Sequence, residues 1–443
     1  MPIKVGMVSL GCSKNLVDSE RMLYKLRRKG YELVTEPGLA DVAVVNTCGF
    51  IQSAKEEAIE TIIELGKLKA DGTLKKIIVT GCLIERYKQE AAELFPEADA
   101  VIGIGNNKDI VDVLDHVLAN ERFVKFAPKL DAELTGERII STLPFFAYLK
   151  VAEGCSNCCT YCAIPQIRGK FRSVPMEEVL SEAKWLANNG VTEVVVIAQD
   201  STRYGEDLYG ASKLPELLKK IAEIDGIRWI RVLYCYPERI TDELLDTIAN
   251  EEKIVKYLDI PIQHCDADIL SRMNRWGSPQ ELEALFVKIR EKVPGIILRT
   301  TLITGFPGET EEQFNELAEF VQKLRFGRLG CFAYSREDGT KAAEFDNQID
   351  EETSAHRADI IMEQQMLISS QNNEKLLGKI LTAVVEGFDK FGECYFGRTE
   401  SDAPDIDGKV FFSCENALEI GDYVTIKITD TLDYDLIGEV VSQ

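Results

Sequence analysis

Long apolar runs are missing from this chain of 443 residues, and none approaches the ~18 residues that a helix needs to cross a membrane. The first apolar stretch, Val5 to Leu10, is short and gives way to Gly11-Cys12-Ser13-Lys14, so no secretory signal is read there. Positive charge is also scarce: 51 Lys and Arg stand against 74 Asp and Glu, a formal net charge of −23. So acidic a chain is repelled by phosphate backbones and drawn to basic partners, unless the charge serves solubility alone. These absences place the chain in the cytoplasm, with no membrane partner. Thiols stay reduced there, and clustered cysteines mean metal rather than disulfides. A hydrophobic content of 45 % is enough for real cores, and the length fits about three domains.

Cysteine, by contrast, is plentiful, with 12 in all. Cys155, Cys159 and Cys162 stand in a C-x3-C-x2-C spacing within Gly154-Cys155-Ser156-Asn157-Cys158-Cys159-Thr160-Tyr161-Cys162. At this cysteine content, such a spacing arises by chance in roughly one chain in a hundred. Three thiolates on a short loop can hold three irons of a cubane cluster, leaving the fourth open to an exogenous ligand. A structural zinc usually takes four protein ligands, and no fourth Cys or His follows at finger-like spacing. A disulfide would need an oxidising compartment.

Residues 1–135 alternate short β-branched runs (Ile3–Leu10, Val42–Asn46, Ile77–Thr80) with polar, helix-forming stretches (Asn15–Lys29, Gln52–Lys69, Glu85–Leu94). The alternation predicts a parallel α/β sheet. Cys12, Cys48 and Cys82 each fall where a strand ends and a helix begins. In an open parallel sheet those ends share one edge, where such sheets bind ligands. Any one of these cysteines alone reads as a small buried hydrophobe. The repeated placement points instead to a second cluster with an open iron. His116, in the amphipathic stretch Asp109–Leu118, reads as structural.

The cysteine loop resembles the radical S-adenosylmethionine (SAM) signature. Its surroundings, Val151-Ala152-Glu153-Gly154 before and Ala163-Ile164-Pro165 after, resemble the methylthiotransferases of that superfamily. Ser9-Leu10-Gly11-Cys12-Ser13-Lys14-Asn15-Leu16-Val17-Asp18-Ser19-Glu20, Asn46-Thr47-Cys48-Gly49-Phe50-Ile51 and Gln199-Asp200 resemble the branch that modifies a ribosomal protein. The transfer-RNA branch typically carries Gln-Met-Asn after its first cysteine and Gln-Asn at the later position. The resemblance covers nearly the whole chain. It implies two 4Fe–4S clusters, one on Cys155, Cys159 and Cys162 and one on Cys12, Cys48 and Cys82, with SAM bound at the open iron of the first. The second would be the site of sulfur delivery, fed by a sulfur donor and an electron donor. Cys158 departs from the family pattern, and its offset breaks the three-ligand spacing.

Residues 136–375 carry six strand candidates: Ala147–Ala152, Glu193–Ala198, Ile230–Tyr234, Tyr257–Ile260, Ile297–Ile303 and Leu329–Ala333. Helical stretches separate them, which suggests an open partial barrel with its active site at the carboxyl ends of the strands. Gly305-Phe306-Pro307-Gly308 alone is an ordinary turn. Ending the fifth strand of such a barrel, Gly305 and Gly308 resemble the part that packs against adenine. Tyr161 matches the aromatic position whose backbone meets the adenine, and Gln199 is expected among the cofactor contacts. His264 is evenly balanced between a substrate-site residue and a satisfied core polar group.

Residues 376–443 alternate short β runs with turns, suggesting a small antiparallel barrel that resembles the TRAM domain. TRAM domains usually grip RNA with a basic surface. Here five Lys and Arg face fourteen Asp and Glu, a net charge of −9, which suits a basic protein target instead. Asp402, Asp405 and Asp407 are expected among the acids that attract it, while Cys394 and Cys414 read as buried. The implied activity is insertion of a methylthio group at the β-carbon of an aspartate in the small-subunit ribosomal protein numbered twelve. A transfer-RNA methylthiotransferase is the nearer rival, disfavoured by the acidic barrel. A non-catalytic iron–sulfur carrier or RNA-binding scaffold is the more distant one.

Overall fold

Val42-Ala43-Val44-Val45-Asn46-Thr47 has every side chain buried, and a strand buried on both faces must run between helices. The computed structural model describes residues 2–442 and shows that arrangement. Strands β1 (Lys4–Ser9), β2 (Glu32–Val34), β3 (Val42–Thr47), β4 (Lys76–Gly81), β5 (Ala100–Ile102) and β6 (Phe123–Lys125) form one parallel sheet in the order β2-β1-β3-β4-β5-β6. Helices α1 (Ser13–Lys29), α2 (Gln52–Ala70), α3 (Cys82–Leu94) and α4 (Ile110–Leu118) cover it on two sides. The period of two in β3 divides the cores. Val42 and Val44 pack with Met22 and Leu114 from α1 and α4, whereas Ala43 and Val45 pack with Ile62 and Ile84 from α2 and α3. Strands β2, β5 and β6 were not anticipated, because three residues are too few to establish a period.

The chain folds as two compact units. The first gathers Met1–Ser141, Ala152–Val174 and Ser335–Ala343; the second gathers Thr142–Val151, Pro175–Tyr334 and Glu344–Gln443. After β7 (Phe146–Lys150), which belongs to the second unit, the chain contributes a short antiparallel pair to the first. This pair, β8 (Ala152–Glu153) and β9 (Arg172–Ser173), frames the cysteine loop and helix α5 (Ile164–Arg168).

In the second unit β7 pairs with β10 (Glu193–Ile197), followed by β11 (Trp229–Val232), β12 (Ile254–Asp259), β13 (Ile297–Thr304) and β14 (Arg328–Ala333), each parallel to the next. Among the described residues the edge strands β7 and β14 do not pair, so this is the expected open six-stranded barrel. Four of the helices between the later strands start on side-chain caps. Thr310 and Gln313 form a capping box at the start of Glu311–Leu324, and Thr241 caps Asp242–Asn250. The terminal barrel closes in the order β15 (Ile380–Asp389), β16 (Cys394–Thr399), β17 (Val410–Ser413), β19 (Leu436–Ser442), β18 (Tyr423–Thr431). It is antiparallel except where β17 meets β19 in parallel. Five strands cannot close a ring with antiparallel pairs alone, so one parallel pair is obligatory.

Within the second unit, this barrel meets the parallel strands through buried charge. Glu193, at the start of β10, accepts from Arg231 Nε at 3.0 Å and from Arg398 Nη2 at 2.7 Å, and all three side chains are buried. Asp402 pairs with Arg328, Tyr257 Oη donates to Asp407 at 2.6 Å, and Tyr148 Oη donates to Asp405 at 3.2 Å. Asp402 and Asp407 are therefore buried fasteners, not the steering acids expected of them. A run of acids read from sequence does not reveal which ones a neighbouring arginine claims. Cys394 and Cys414 are half-buried rather than buried.

Burial by itself would raise the Glu193 carboxyl, but Arg398 and Arg231 more than offset it and hold it below the ordinary glutamate range. Its contribution to stability is present above that range and is lost as pH falls through the lowered value. Glu193→Gln removes the carboxylate paired with buried Arg231 and one of the two on Arg398, which keeps Glu386, and is expected to cost about 3–5 kcal/mol. Denaturant unfolding followed by Trp229, which packs edge-on against Tyr423 of the terminal barrel at 4.9 Å, measures this directly. An unchanged midpoint would contradict the fastening role.

Candidate functional site

Cys12, Cys48 and Cys82 follow the carboxyl ends of β1, β3 and β4, which are adjacent strands. Cys12 is exposed, while Cys48 and Cys82 are buried. Burial pushes the Cys48 thiol up and the Cys82 thiol to about 12; neighbouring Cys12 adds to both shifts, and the Arg168 guanidinium opposes both. The approach is close enough to demand glycine. At Gly11, with φ +84°, a Cβ would stand 2.7 Å from Cys48 Sγ. Asn15 ties the strand ends together, donating from Nδ2 to Leu10 O and to Thr47 O, each at 2.9 Å. Asn46 Nδ2 donates in turn to Asn15 O at 2.9 Å.

The cysteine loop is built in the same unit. Cys155 N donates to Gly169 O at 3.0 Å, Cys162 N to Cys159 O at 3.1 Å, and Ile164 N to Cys162 Sγ at 3.4 Å. Cys155 and Cys159 are buried and Cys162 is half-buried, whereas Cys158 is exposed in the left-handed region at φ +54°. The two cysteine groups share a wall, because Cys82 packs against Ala163 and Ile167 just beyond Cys162. Glu337 closes another side: its carboxylate takes Lys55 Nζ at 2.9 Å and Arg86 Nη1 at 2.6 Å, and Arg86 also donates to Gly49 O beside Cys48. Among the described residues, no three His, Cys, Asp or Glu side chains are gathered to hold a single metal ion. A cubane makes a different demand, since each thiolate takes an iron at its own corner. Cys12, Cys48 and Cys82 at adjacent strand ends, with Gly11 allowing close approach to Cys48, and the closely spaced Cys155, Cys159 and Cys162 suit that donor set.

Of the four expected cofactor contacts, Tyr161 lies half-buried in the first unit, while Gln199, Gly305 and Gly308 belong to the second. Gln199 Oε1 is a buried acceptor with no hydrogen-bond partner among the described residues. Gly305 and Gly308 both have positive φ and press against protein: a Cβ would meet Ser354 Oγ at 1.9 Å and Arg272 Nη1 at 2.6 Å respectively. Glu309 holds this turn, accepting from Gly305 N at 2.5 Å and Arg357 Nη1 at 2.8 Å. His264 is fully buried; its Nδ1 accepts from Asp266 N at 3.0 Å, so Nε2 carries the proton towards Glu309 Oε1 at 3.1 Å. That resolves His264 as a satisfied core group. His116 is likewise structural, bonded to Asp112 O of its own helix at 2.8 Å. Asn15, Glu153, Arg168, Glu309 and Glu337 were given no role in advance.

Residues 4–103 match the uncharacterized protein family UPF0004, residues 149–321 the radical SAM superfamily, and residues 377–441 the TRAM domain. The ribosomal protein uS12 methylthiotransferase RimO of Lachnoclostridium phytofermentans is 48 % identical over 438 residues, covering 98 % of this chain and 99 % of that one. The protein of the same name from Geobacter sulfurreducens is 47 % identical over 442 residues, covering 99 % of each. Among solved structures, the radical SAM methyltransferase TsrM of Kitasatospora setae, with cobalamin and a [4Fe-4S] cluster bound, superposes with a TM-score of 0.56. It is 14 % identical and covers 86 % of this chain and 81 % of that one. The cobalamin-dependent radical SAM enzyme OxsB reaches 0.52 at 13 % identity, covering 82 % of this chain and 56 % of that one. These last two likenesses concern fold alone.

Thiol chemistry in the metal-free chain should follow exposure. Cys12 and Cys158 are expected to alkylate first, and Cys235 and Cys265, whose thiols burial pushes up, last. Each unit of raised pKa removes about tenfold of the reactive thiolate. Timed alkylation with peptide mass analysis gives the order, and early labelling of Cys235 would contradict this packing.

Proposed function

We infer the function of this chain from its family and its site: it belongs to the ribosomal protein uS12 methylthiotransferases, radical SAM enzymes that insert sulfur. Its substrate is uS12, and the reaction replaces a hydrogen on the β-carbon of an aspartate with a methylthio group. The observation that carries the reading is the gathering of both cysteine triads into one compact unit, with Cys82 packed against the residues that follow Cys162.

Cys155, Cys159 and Cys162 hold one 4Fe–4S cluster and Cys12, Cys48 and Cys82 the other, each set leaving one iron without a protein ligand. When bound, the clusters and SAM supply a hydrogen-abstracting radical, a point of sulfur delivery and a methyl group. The chain's own part is to bind and orient. Gln199 offers an unsatisfied acceptor at the end of β10, Glu309 fixes the Gly305–Gly308 turn, and Tyr161 presents its backbone beside the third cysteine. Asn15 holds the strand ends of the second triad in register. A sulfur donor and an electron donor complete the set of partners, in the reducing cytoplasm. The division into residues 1–135, 136–375 and 376–443 assigns sulfur delivery to the first part, radical chemistry to the second and substrate capture to the third.

Capture rests on surface acids that remain free to steer. Glu393, Glu415 and Asp433 are exposed, and attraction of this kind acts over about 8 Å at physiological salt. Reversing these three to Lys is expected to raise the uS12 concentration needed for half-maximal rate and to leave SAM cleavage without substrate unchanged. No change in that concentration would exclude the barrel from capture.

Anaerobic reconstitution is expected to load about eight irons per chain. Substituting Cys155, Cys159 and Cys162 together should halve this and abolish SAM cleavage, whereas Cys158→Ser should preserve both. SAM cleavage surviving the triple substitution would overturn the ligand assignment. Purified enzyme offered uS12 and an unmodified transfer RNA side by side should modify the protein. Methylthiolation of the transfer RNA alone would establish the rival substrate.

A further inference from the structure

Arg168 is an expensive residue to bury. Its side chain is 1 % exposed in the first unit, and taking a guanidinium out of water costs several kcal/mol before any partner is counted. Its partners lie on two elements. Nη1 donates to Asp18 Oδ2 of α1 at 2.8 Å and to Glu153 Oε1 and Oε2 of β8 at 3.1 Å each; Nη2 donates to Asn15 Oδ1. Glu153 also accepts from Gly154 N at 3.2 Å, immediately before Cys155. Asn15 spans the strand ends that carry Cys12 and Cys48. Arg168 follows Cys162 by six residues, and Ile167 beside it packs on Cys82. Cys82 Sγ stands 3.6 Å from the same Asn15 Oδ1 that accepts from Arg168 Nη2, so a single side chain bridges the guanidinium, with its two carboxylates, to the Cys12–Cys48–Cys82 group.

Buried ion pairs contribute little net stability against an apolar replacement, so stability alone is a weak reason for this cation. A cluster on three thiolates is anionic, gains negative charge on reduction, and has a potential set by nearby charge and by hydrogen bonds to its sulfurs. Resting on the ligand assignment above, we propose that Arg168 is a positioning residue that acts as the fixed counter-cation of the Cys12–Cys48–Cys82 cluster. It favours the reduced state of that cluster and couples it mechanically to the loop of Cys155, Cys159 and Cys162. Removing Arg168 would take one buried positive charge from beside the cluster, lowering its potential and loosening its hold on iron.

The test is redox titration of the full-length, reconstituted enzyme, following by electron paramagnetic resonance the cluster signal that does not respond to SAM. Arg168→Gln is expected to move that midpoint to more negative potential, and Arg168→Lys, which keeps the charge, to restore most of the shift. Asp18→Asn, which removes a neighbouring negative charge, should move it the opposite way. Iron release to a chelator should quicken by about 10- to 100-fold in Arg168→Gln. If Arg168→Gln holds no second cluster while Arg168→Lys does, the charge role stands, and the Asp18→Asn shift still reads its sign. Equal shifts in Gln and Lys variants, or an Asp18→Asn shift towards negative potential, would overturn it. A wild-type enzyme with iron for one cluster only would overturn the ligand assignment beneath it.

Discussion

Parallel pairing of β1, β3 and β4 is the constraint on which the site depends. Parallel strands end on one side of their sheet, so three cysteines that are 36 and 34 positions apart in sequence arrive at one edge without any long loop to carry them. The sheet itself is held by burial on both faces, which is why β3 tolerates no polar residue until Asn46 and Thr47 at its carboxyl end. Those two polar residues already belong to the site: Asn46 Nδ2 bonds Asn15 O, and Thr47 Oγ1 donates to Thr80 O at 2.6 Å. The core and the site are therefore two ends of one strand.

Buried charge does two distinct kinds of work in the two units. In the second, Glu193 with Arg231 and Arg398, and Arg328 with Asp402, fasten the terminal barrel to the parallel strands. Part of the barrel's acidity is thereby spent internally, and only the remainder is available to a basic partner. In the first unit, Arg168 and Glu337 draw segments distant in sequence around the cysteines, Arg168 from the loop region and Glu337 from the stretch after β14. Both contacts rely on partners more than a hundred positions away, so each depends on the fold being complete.

Much of this was legible in advance. Hydrophobic period placed all six strands of the partial barrel and the three that carry Cys12, Cys48 and Cys82, because each combines β-branched residues with a clear turn signal. The cysteine spacing identified the chemistry, since few other uses fit C-x3-C-x2-C. What could not be read was long-range pairing of charge. Asp402 and Asp407 look like any surface acids until Arg328 and Tyr257 are beside them, and Arg168 looks like an ordinary helix-end cation until Glu153 and Asp18 enclose it. His264 was undecidable for the same reason, its fate fixed by Glu309, 45 positions away. The small antiparallel barrel was also legible, and its odd strand count requires a parallel pair, which the structure places between β17 and β19.

This chain belongs to the uS12 methylthiotransferases, and the proposed reaction needs both cysteine triads. Intact-mass analysis of uS12 from cells lacking this chain, complemented with the wild type, with Cys12→Ala or with Cys155→Ala, tests it most directly. Only the wild-type chain is expected to restore the mass of one methylthio group in place of one hydrogen. Modified uS12 in cells carrying either cysteine variant, or unmodified uS12 with the wild type, would contradict it.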